Sequence, residues 1–580
     1  MPNLSGDAGV LAWLSSRQGR AVSLLAVLVV AGWFALPALF MAYTEGFQSQ
    51  VAINAHALHL GDPEFGDSLY PFNGHFFLLT RLGTSLGLAA MQEGGLSSLA
   101  AFRLIGVVGM LLLVGILLVF LWRACRVGPA LGLLCCLLFP TVFEAAYLPN
   151  DDLPSAVLVC LAVLVFWRPT LLRTAIAGVL LGVAALLRLD AVLVAPAFAI
   201  LLLTEVQGWG ARAMRACIAG VLVAGIPVLA YRLCGLSFLD TFAAVDRALH
   251  LWDRPNQVLF NDLRTFVLSV PAAGGLAWAL GVLLFARARR WRDLGLAVLV
   301  PLLYVAAYRN QLVEGRYLLP LAPFVLLTMA EGLRSVATAA ARWRGLMLAG
   351  FAVCFALWIA PLPWLVRLVG DADGPRFVVG RAWNPLAALW WQSRLNAGQA
   401  ALETAIERVA TSPNPVLVTG GWNGDRLATL LLLEHGFALQ PALTPPACRN
   451  IAEILVRGQT VLLQIRTHIP FLPHKNERLT WEEAGLPCLR QARPATTQVL
   501  FLGSATFDVL SVMLDGLGVA FSAAHGPRPP LAPRLLAVLT GLSVADVPVD
   551  AVAAALDAPV PPEERAADLD TLARRADLLR

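Results

Sequence analysis

The chain has 580 residues, of which 58% are hydrophobic and only 14% charged, with a formal net charge of +5. Soluble globular chains carry roughly 25% charged residues, so an ordinary cytosolic enzyme is excluded. A near-neutral, apolar chain of this length is also neither disordered nor built to bind nucleic acid.

Apolar runs separated by short polar loops fill residues 1–368, and a mixed composition follows. The shift divides the chain into a membrane domain 1–368, a soluble domain 369–523 and a Pro/Ala-rich tail 524–580 ending in a helix from Glu563 to Arg580. A spanning helix needs about 20 apolar residues. Eleven runs read as spans, at roughly 21–42, 101–122, 129–147, 154–168, 174–187, 190–204, 216–233, 265–286, 294–308, 317–334 and 345–366. The short runs 174–187 and 190–204 could be tilted half-length spans meeting at Arg188. The first run is too long for the apolar core of a signal peptide and leads into further spans, so it reads as an uncleaved anchor.

Arginine in the short loops sets the orientation. With the N-terminus inside, every inside loop is basic, from Arg17 and Arg20 to Arg342 and Arg344. The outside loops hold most of the acids, among them Glu45, Asp62, Asp67, Asp151, Asp152, Asp246 and Glu314. An odd count of spans then places residues 369–580 outside. Two outer loops are long. In the first, about 43–100, the stretches Phe47 to Leu60 and Gly74 to Leu88 read as amphipathic helices lying along the interface. In the second, about 234–264, Ala243 to Trp252 reads as another, with Trp252 at headgroup level.

Beyond residue 368, Pro415–Thr419, Thr460–Ile465 and Gln498–Leu502 read as strands. The stretches Asp425 to Glu434 and Ile451 to Arg457 read as helices, which suggests a small α/β layer domain. The turn Gly420–Gly424 lacks both GxGxxG spacing and a GK[ST] ending, so it reads as a strand-to-helix turn. Residues 524–562 read as loosely packed. Cysteines in the apolar runs read as small hydrophobes, and no CxxC spacing or Cys/His cluster suggests zinc. Cys448 and Cys488 enclose a loop of about 40 residues and could form a disulfide in an oxidising outer compartment.

The candidate chemistry lies at the outer helix ends. Glu45 follows the first span, and Asp151 and Asp152 occupy the short turn Pro149-Asn-Asp-Asp-Leu-Pro154. Carboxylates held at one bundle mouth can hold a cation or act as a general base. The plainer reading is a solvated loop. Arg188, in Leu186-Leu-Arg-Leu-Asp190, lies on the same side, as do Arg309 and Arg316. Charges near membrane depth are costly and are usually functional or paired, and guanidinium matches phosphate oxygens. The plainer reading here is Arg188 paired with Asp190.

Glu45-Gly-Phe-Gln, Ala55-His-Ala-Leu-His-Leu-Gly61 and Asp67-Ser-Leu-Tyr-Pro71 resemble the first outer loop of GT-C glycosyltransferases of the aminoarabinose transferase and protein mannosyltransferase type. Gly178 to Asp190 resembles the Gly-rich helix ending in Arg of that family, and Arg316-Tyr-Leu-Leu-Pro320 its Arg-Tyr-x-x-Pro signature. Asp151-Asp152 falls where the family carries a second acidic motif. The likeness covers about residues 20–370. Thr44 stands where the family's Asp-Glu pair usually begins, leaving Glu45 alone. The lysine that aminoarabinose-type members carry further along the first loop has no match; His75 or Arg81 could take its place.

The resemblance implies a mostly α protein: a polytopic transmembrane bundle of about 11 spans with a soluble α/β periplasmic domain, in a bacterial inner membrane. It implies sugar transfer, hexosyl or pentosyl, from a polyprenyl-phosphate donor to a glycan, lipid or protein acceptor on the periplasmic side. Glu45, Asp151 or Asp152 would be the base, and these three could hold a divalent cation, Mg2+ or Mn2+. Arg316, Arg188, Arg309 and Tyr317 would bind the donor phosphate, and Asp67, Tyr70 and His75 would line the substrate loop. The rival classes are a transporter, which usually shows repeated halves, and a non-catalytic envelope-assembly scaffold.

Overall fold

The computed structural model describes residues 17–39, 46–59, 73–139, 141–143, 151–251, 272–307 and 315–338, part of 430–435, and five strands further on. In chain order the helices are α1 Arg17–Leu39, α2 Gly46–His59, α3 Asn73–Thr80, α4 Leu82–Glu93, α5 Ser98–Cys125, α6 Pro129–Leu137 and α7 Asp152–Phe166. They continue as α8 Leu171–Leu187, α9 Ala195–Glu205, α10 Trp209–Leu233, α11 Phe238–Leu251, α12 Ala272–Arg287, α13 Trp291–Leu294, α14 Val300–Ala307 and α15 Ala322–Thr338. A 3-10 helix, Leu189–Val194, joins α8 to α9, and another, Gly315–Leu321, leads into α15.

Helices that are apolar all round suit a membrane, where one side packs and the other meets lipid. On α1, Ala31, Phe34, Ala35 and Ala38 are buried while Leu24, Leu25, Leu28 and Val29 are exposed. On α5, Met110, Leu113, Leu117 and Phe120 face the core while Leu104, Val108, Leu112 and Val119 face out. By length and composition, Ser98–Cys125, Trp209–Leu233 and Tyr317–Val336 can cross a membrane; Ser23–Ala35, Asp152–Phe166, Leu171–Leu187 and Gly274–Arg287 are shorter apolar helices. The expected run at 345–366 lies outside the described residues. The expected spans 174–187 and 190–204 are separate helices, with the chain extended at Arg188 (φ −157, ψ 115) between α8 and the 3-10 turn.

Small residues let two pairs of helices approach closely, as is common in membranes. Gly178 and Gly182 of α8 meet Leu222 and Ile226 of α10, and Gly281 of α12 and Gly332 of α15 bring those two backbones into contact. At one end of the bundle an ionic cluster ties three helices together. Asp293, almost fully buried, accepts from Arg290 at 2.7 Å and from Arg292 at 2.9 Å. Arg290 also reaches Glu331 at 2.9 Å, and Arg292 pairs with Glu205.

The outer helices differ from expectation in two ways. The stretch expected as one helix, Gly74 to Leu88, is two. It breaks at Arg81, whose backbone (φ −139, ψ 32) leaves the helical region. Helix α2, expected to lie along an interface with its polar side in water, is buried from Ser49 to Ala55, polar residues included. The imidazole of His59 lies 3.5 Å from Glu93, joining the last turns of α2 and α4.

Burial lowers the pKa of His56, and neighbouring His59 adds to the effect. Its Nε2 is buried without a hydrogen-bond partner among the described residues, so a proton there would have none of them to bond. Folding thus favours the neutral ring, unfolding takes up a proton, and stability falls as pH drops below about 6.5. In one detergent, the melting temperature should fall further between about pH 7.5 and about pH 5.5 for the wild type than for His56→Gln. Equal falls would remove His56 from the account.

The strands are β1 Val416–Thr419, β2 Ala438–Pro441, β3 Val461–Arg466, β4 Thr496–Leu502 and β5 Ser543–Pro548. They form one sheet in the order β2-β1-β3-β4-β5, parallel except for the antiparallel edge strand β5. β5 corrects the expectation of loose packing over 524–562, because Ser543 to Pro548 pairs in register with Phe501 to Thr496. The Gly420–Gly424 turn, Cys448, Cys488 and the terminal helix lie outside the described residues.

Candidate active site

Four segments meet at one end of the bundle: the break at Arg81, the start of α7, the end of α8 and the 3-10 helix Gly315–Leu321. Asp151 immediately precedes α7, and its carbonyl accepts from Ser155 N at 3.1 Å, which fixes the side chain at the helix mouth. The Asp151 side chain is fully buried. Its Oδ2 accepts from Arg81 Nε at 2.6 Å and lies 3.6 Å from Arg188 Nη1. Arg188 Nη1 also pairs with Asp152, and Arg188 Nε donates to Asp190 at 2.7 Å. Burying charges this deeply is tolerated only when they are paired.

Aromatic rings complete the cluster. The Arg188 guanidinium lies 4.3 Å from the centre of the Tyr317 ring, and that of Arg81 lies 4.5 Å from Phe77. Tyr304 donates to the Tyr317 carbonyl at 2.8 Å, which secures the 3-10 segment. Thr84 donates to the Leu187 carbonyl at 3.3 Å and so ties α4 to the end of α8. Three carboxylates face two guanidiniums here. Oδ1 of Asp151 is buried and has no hydrogen-bond partner among the described residues.

Of the residues singled out in the sequence, Asp151, Asp152, Arg188 and Tyr317 come together. Glu45, Asp67, Tyr70 and Arg309 lie outside the described residues. His75 falls on α3 and Arg316 on the Gly315–Leu321 segment, but their side chains are also outside them. The pairing of Arg188 with Asp190 is present, yet the same guanidinium also serves Asp151 and Asp152. The sequence offered Arg81 only as a stand-in for a missing lysine; its bond to Asp151 spans 70 positions. The one local signal was a charged residue inside the apolar stretch Phe77-Leu-Leu-Thr-Arg-Leu82. For Mg2+ or Mn2+, no group of three His, Cys, Asp or Glu among the described residues is placed to hold a metal. Asp151 and Asp152 are instead engaged by arginine.

No protein-family model matches the chain, and no curated protein matches it. Solved structures do. The crystal structure of ArnT from Cupriavidus metallidurans bound to undecaprenyl phosphate superposes with a TM-score of 0.51 at 15% identity, covering 86% of this chain and 95% of that one. The apo state of the same protein gives a TM-score of 0.49 at 15% identity over the same shares. ArnT is a GT-C aminoarabinose transferase, and it is the fold of that protein that this chain shares.

Proposed function

We propose that the chain is an integral-membrane glycosyltransferase that moves a sugar from a polyprenyl-phosphate donor to an acceptor on the periplasmic side. The observation that carries this reading is the buried cluster of Arg81, Arg188, Asp151 and Tyr317, placed at one mouth of a bundle with the ArnT fold. The solved relative is bound to undecaprenyl phosphate, and guanidinium is the side chain best matched to phosphate oxygens. The arginine pattern of the loops supports an outward-facing site, a bundle of about eleven spans and an outer α/β domain built on the five-stranded sheet.

In the reaction, an acceptor hydroxyl oxygen bonds to the anomeric carbon as the bond from that carbon to the phosphate oxygen breaks. The hydroxyl proton passes to a carboxylate. Asp151 is suited to this through Oδ1, because Oδ2 is held by Arg81 and the whole group is thereby fixed. Glu45 is the other carboxylate for the role. The phosphate leaves with its charge facing Arg188 and Arg81, donors already in place as that charge develops, and Arg316 would add a third by its sequence pattern.

The test is sugar transfer by purified protein from a polyprenyl-phosphate sugar. Asp151→Asn keeps the size of the side chain and its acceptor for Arg81, and should lose about 10²–10⁴-fold in rate. Binding of undecaprenyl phosphate should persist. Full transfer by both Asp151→Asn and Glu45→Gln would sink the base assignment, and no transfer by wild type from any such donor would sink the function.

A further inference from the structure

The end of the bundle away from Asp151 holds two arginines in a strained backbone. Arg292 lies 4.9 Å from the centre of the Trp167 ring, at the far end of α7 from Asp151, so this end is about 24 Å from the site. Among the described residues, the two non-glycine residues with left-handed backbones are Arg126 (φ 60) and Arg289 (φ 53). Each closes a helix. At the end of α5, Arg126 N donates to the Trp122 carbonyl at 3.1 Å. Past the end of α12, Arg289 N donates to the Ala286 carbonyl at 3.1 Å and Arg290 N to the Phe285 carbonyl at 2.9 Å.

Glycine is the ordinary residue at such a cap, because a Cβ strains the left-handed region. Strain of this kind marks side chains that have a task. The helix dipole does not supply one, since Arg123 and Arg287 already stand in the last turns of α5 and α12 in ordinary backbone. Ion pairing does not supply one either. The acids of this end, Asp293, Glu331 and Glu205, are taken by Arg290 and Arg292. Arg126 and Arg289 have no carboxylate partner among the described residues.

The two caps flank one turn of α15. Arg334 Nη1 lies 3.5 Å from the carbonyl oxygen of Cys125, the residue before Arg126. Glu331, three residues earlier on α15, pairs at 2.9 Å with Arg290, the residue after Arg289. Arg126 and Arg289 are both exposed, and each has an exposed tryptophan close by in sequence, Trp122 and Trp291. The Arg126 guanidinium lies 5.9 Å from the Trp122 ring centre. Exposed tryptophan beside arginine at a helix end is the composition of a membrane–water interface. The anion found there is the headgroup phosphate, which a guanidinium fork matches. We infer that Arg126 and Arg289 form a paired site for the phosphates of anionic phospholipids, on the membrane face opposite the Asp151 cluster. The inference does not depend on the sugar-transfer reading.

The test is thermal unfolding of full-length protein in nanodiscs of phosphatidylcholine, with and without phosphatidylglycerol. Wild type should melt at least about 2 °C higher with phosphatidylglycerol. The double variant Arg126→Gly with Arg289→Gly should match or exceed wild type in phosphatidylcholine alone, because glycine suits the backbone, and should lose the gain from phosphatidylglycerol. The control pair, Arg123→Gln with Arg287→Gln, removes the same charge from unstrained positions and should keep the gain. Loss of the gain in the control pair as well would show a diffuse basic surface and overturn the site. So would a gain that the double variant keeps, or no gain in wild type. A double variant that melts below wild type in phosphatidylcholine would assign the two arginines to the fold instead. An equal gain in wild type from glycerol phosphate, added to phosphatidylcholine nanodiscs, would point to a soluble phosphate and overturn the lipid.

Discussion

Arg188→Ala should be both unstable and inactive. Its guanidinium serves Asp151, Asp152 and Asp190 and stacks on Tyr317. Removing one partner of a buried ion pair leaves uncompensated charge and costs about 3–5 kcal/mol. In the role proposed for Arg188, loss of this donor to the leaving phosphate should lower the rate by about a further 10²–10³-fold. Arg188→Lys separates the two effects. Lysine restores a positive charge but not the planar fork, so it should recover much of the stability and little of the transfer rate. Melting curves and turnover of both variants in one detergent check this. Equal activity of Arg188→Lys and wild type would show that charge alone is enough at this position.

Gly281→Ala and Gly332→Ala should each lower the melting temperature sharply. A Cβ on Gly281 would fall on the Thr328 carbonyl oxygen, and one on Gly332 would fall on the Ala277 carbonyl oxygen. A backbone atom cannot turn aside as a side chain can, so α12 and α15 must separate. Overpacking costs about 1–3 kcal/mol in cores that can adjust, and this contact should lie at or above that range. The shift would also reach the site, because α15 continues directly from the Gly315–Leu321 segment that carries Tyr317. Gly275 of α12 is the control. A Cβ there meets nothing within 4 Å, so Gly275→Ala should be neutral or slightly stabilising. A melting temperature for Gly281→Ala equal to that of Gly275→Ala would overturn the close crossing.

What could be read in advance follows from the range of the forces involved. Helices α5 and α10 were visible because long apolar composition is a local property. β1, β3 and β4 were visible as short apolar runs between turn residues. β2 and β5 were not. Ser543-Val-Ala-Asp-Val-Pro548 is a short edge strand with an acid and a terminal proline, and only its pairing with β4 makes it a strand. The break at Arg81 was hidden for the same reason: nothing local ends a helix in Leu-Leu-Thr-Arg-Leu-Gly, but a bond to Asp151 lies 70 residues away. The inward polar side of α2 reversed an amphipathic reading, since periodicity shows two faces but not which one packs. Glu45, Arg309 and Arg316 stand on their sequence pattern.

The amide of Ser98, at the first turn of the long helix α5, donates to Glu434 Oε1 at 3.0 Å, beside the local bond from Ala100 N to Ser97 Oγ. A carboxylate at that position also meets the positive end of the helix dipole. Glu434 belongs to the sheet-bearing half of the chain, between β1 and β2 in sequence. A shortened protein ending near residue 368 would therefore not be the membrane half in its native state. One of its longest helices would start with a bare amide and an unanswered dipole, so reconstitution experiments on such a fragment would test a different molecule.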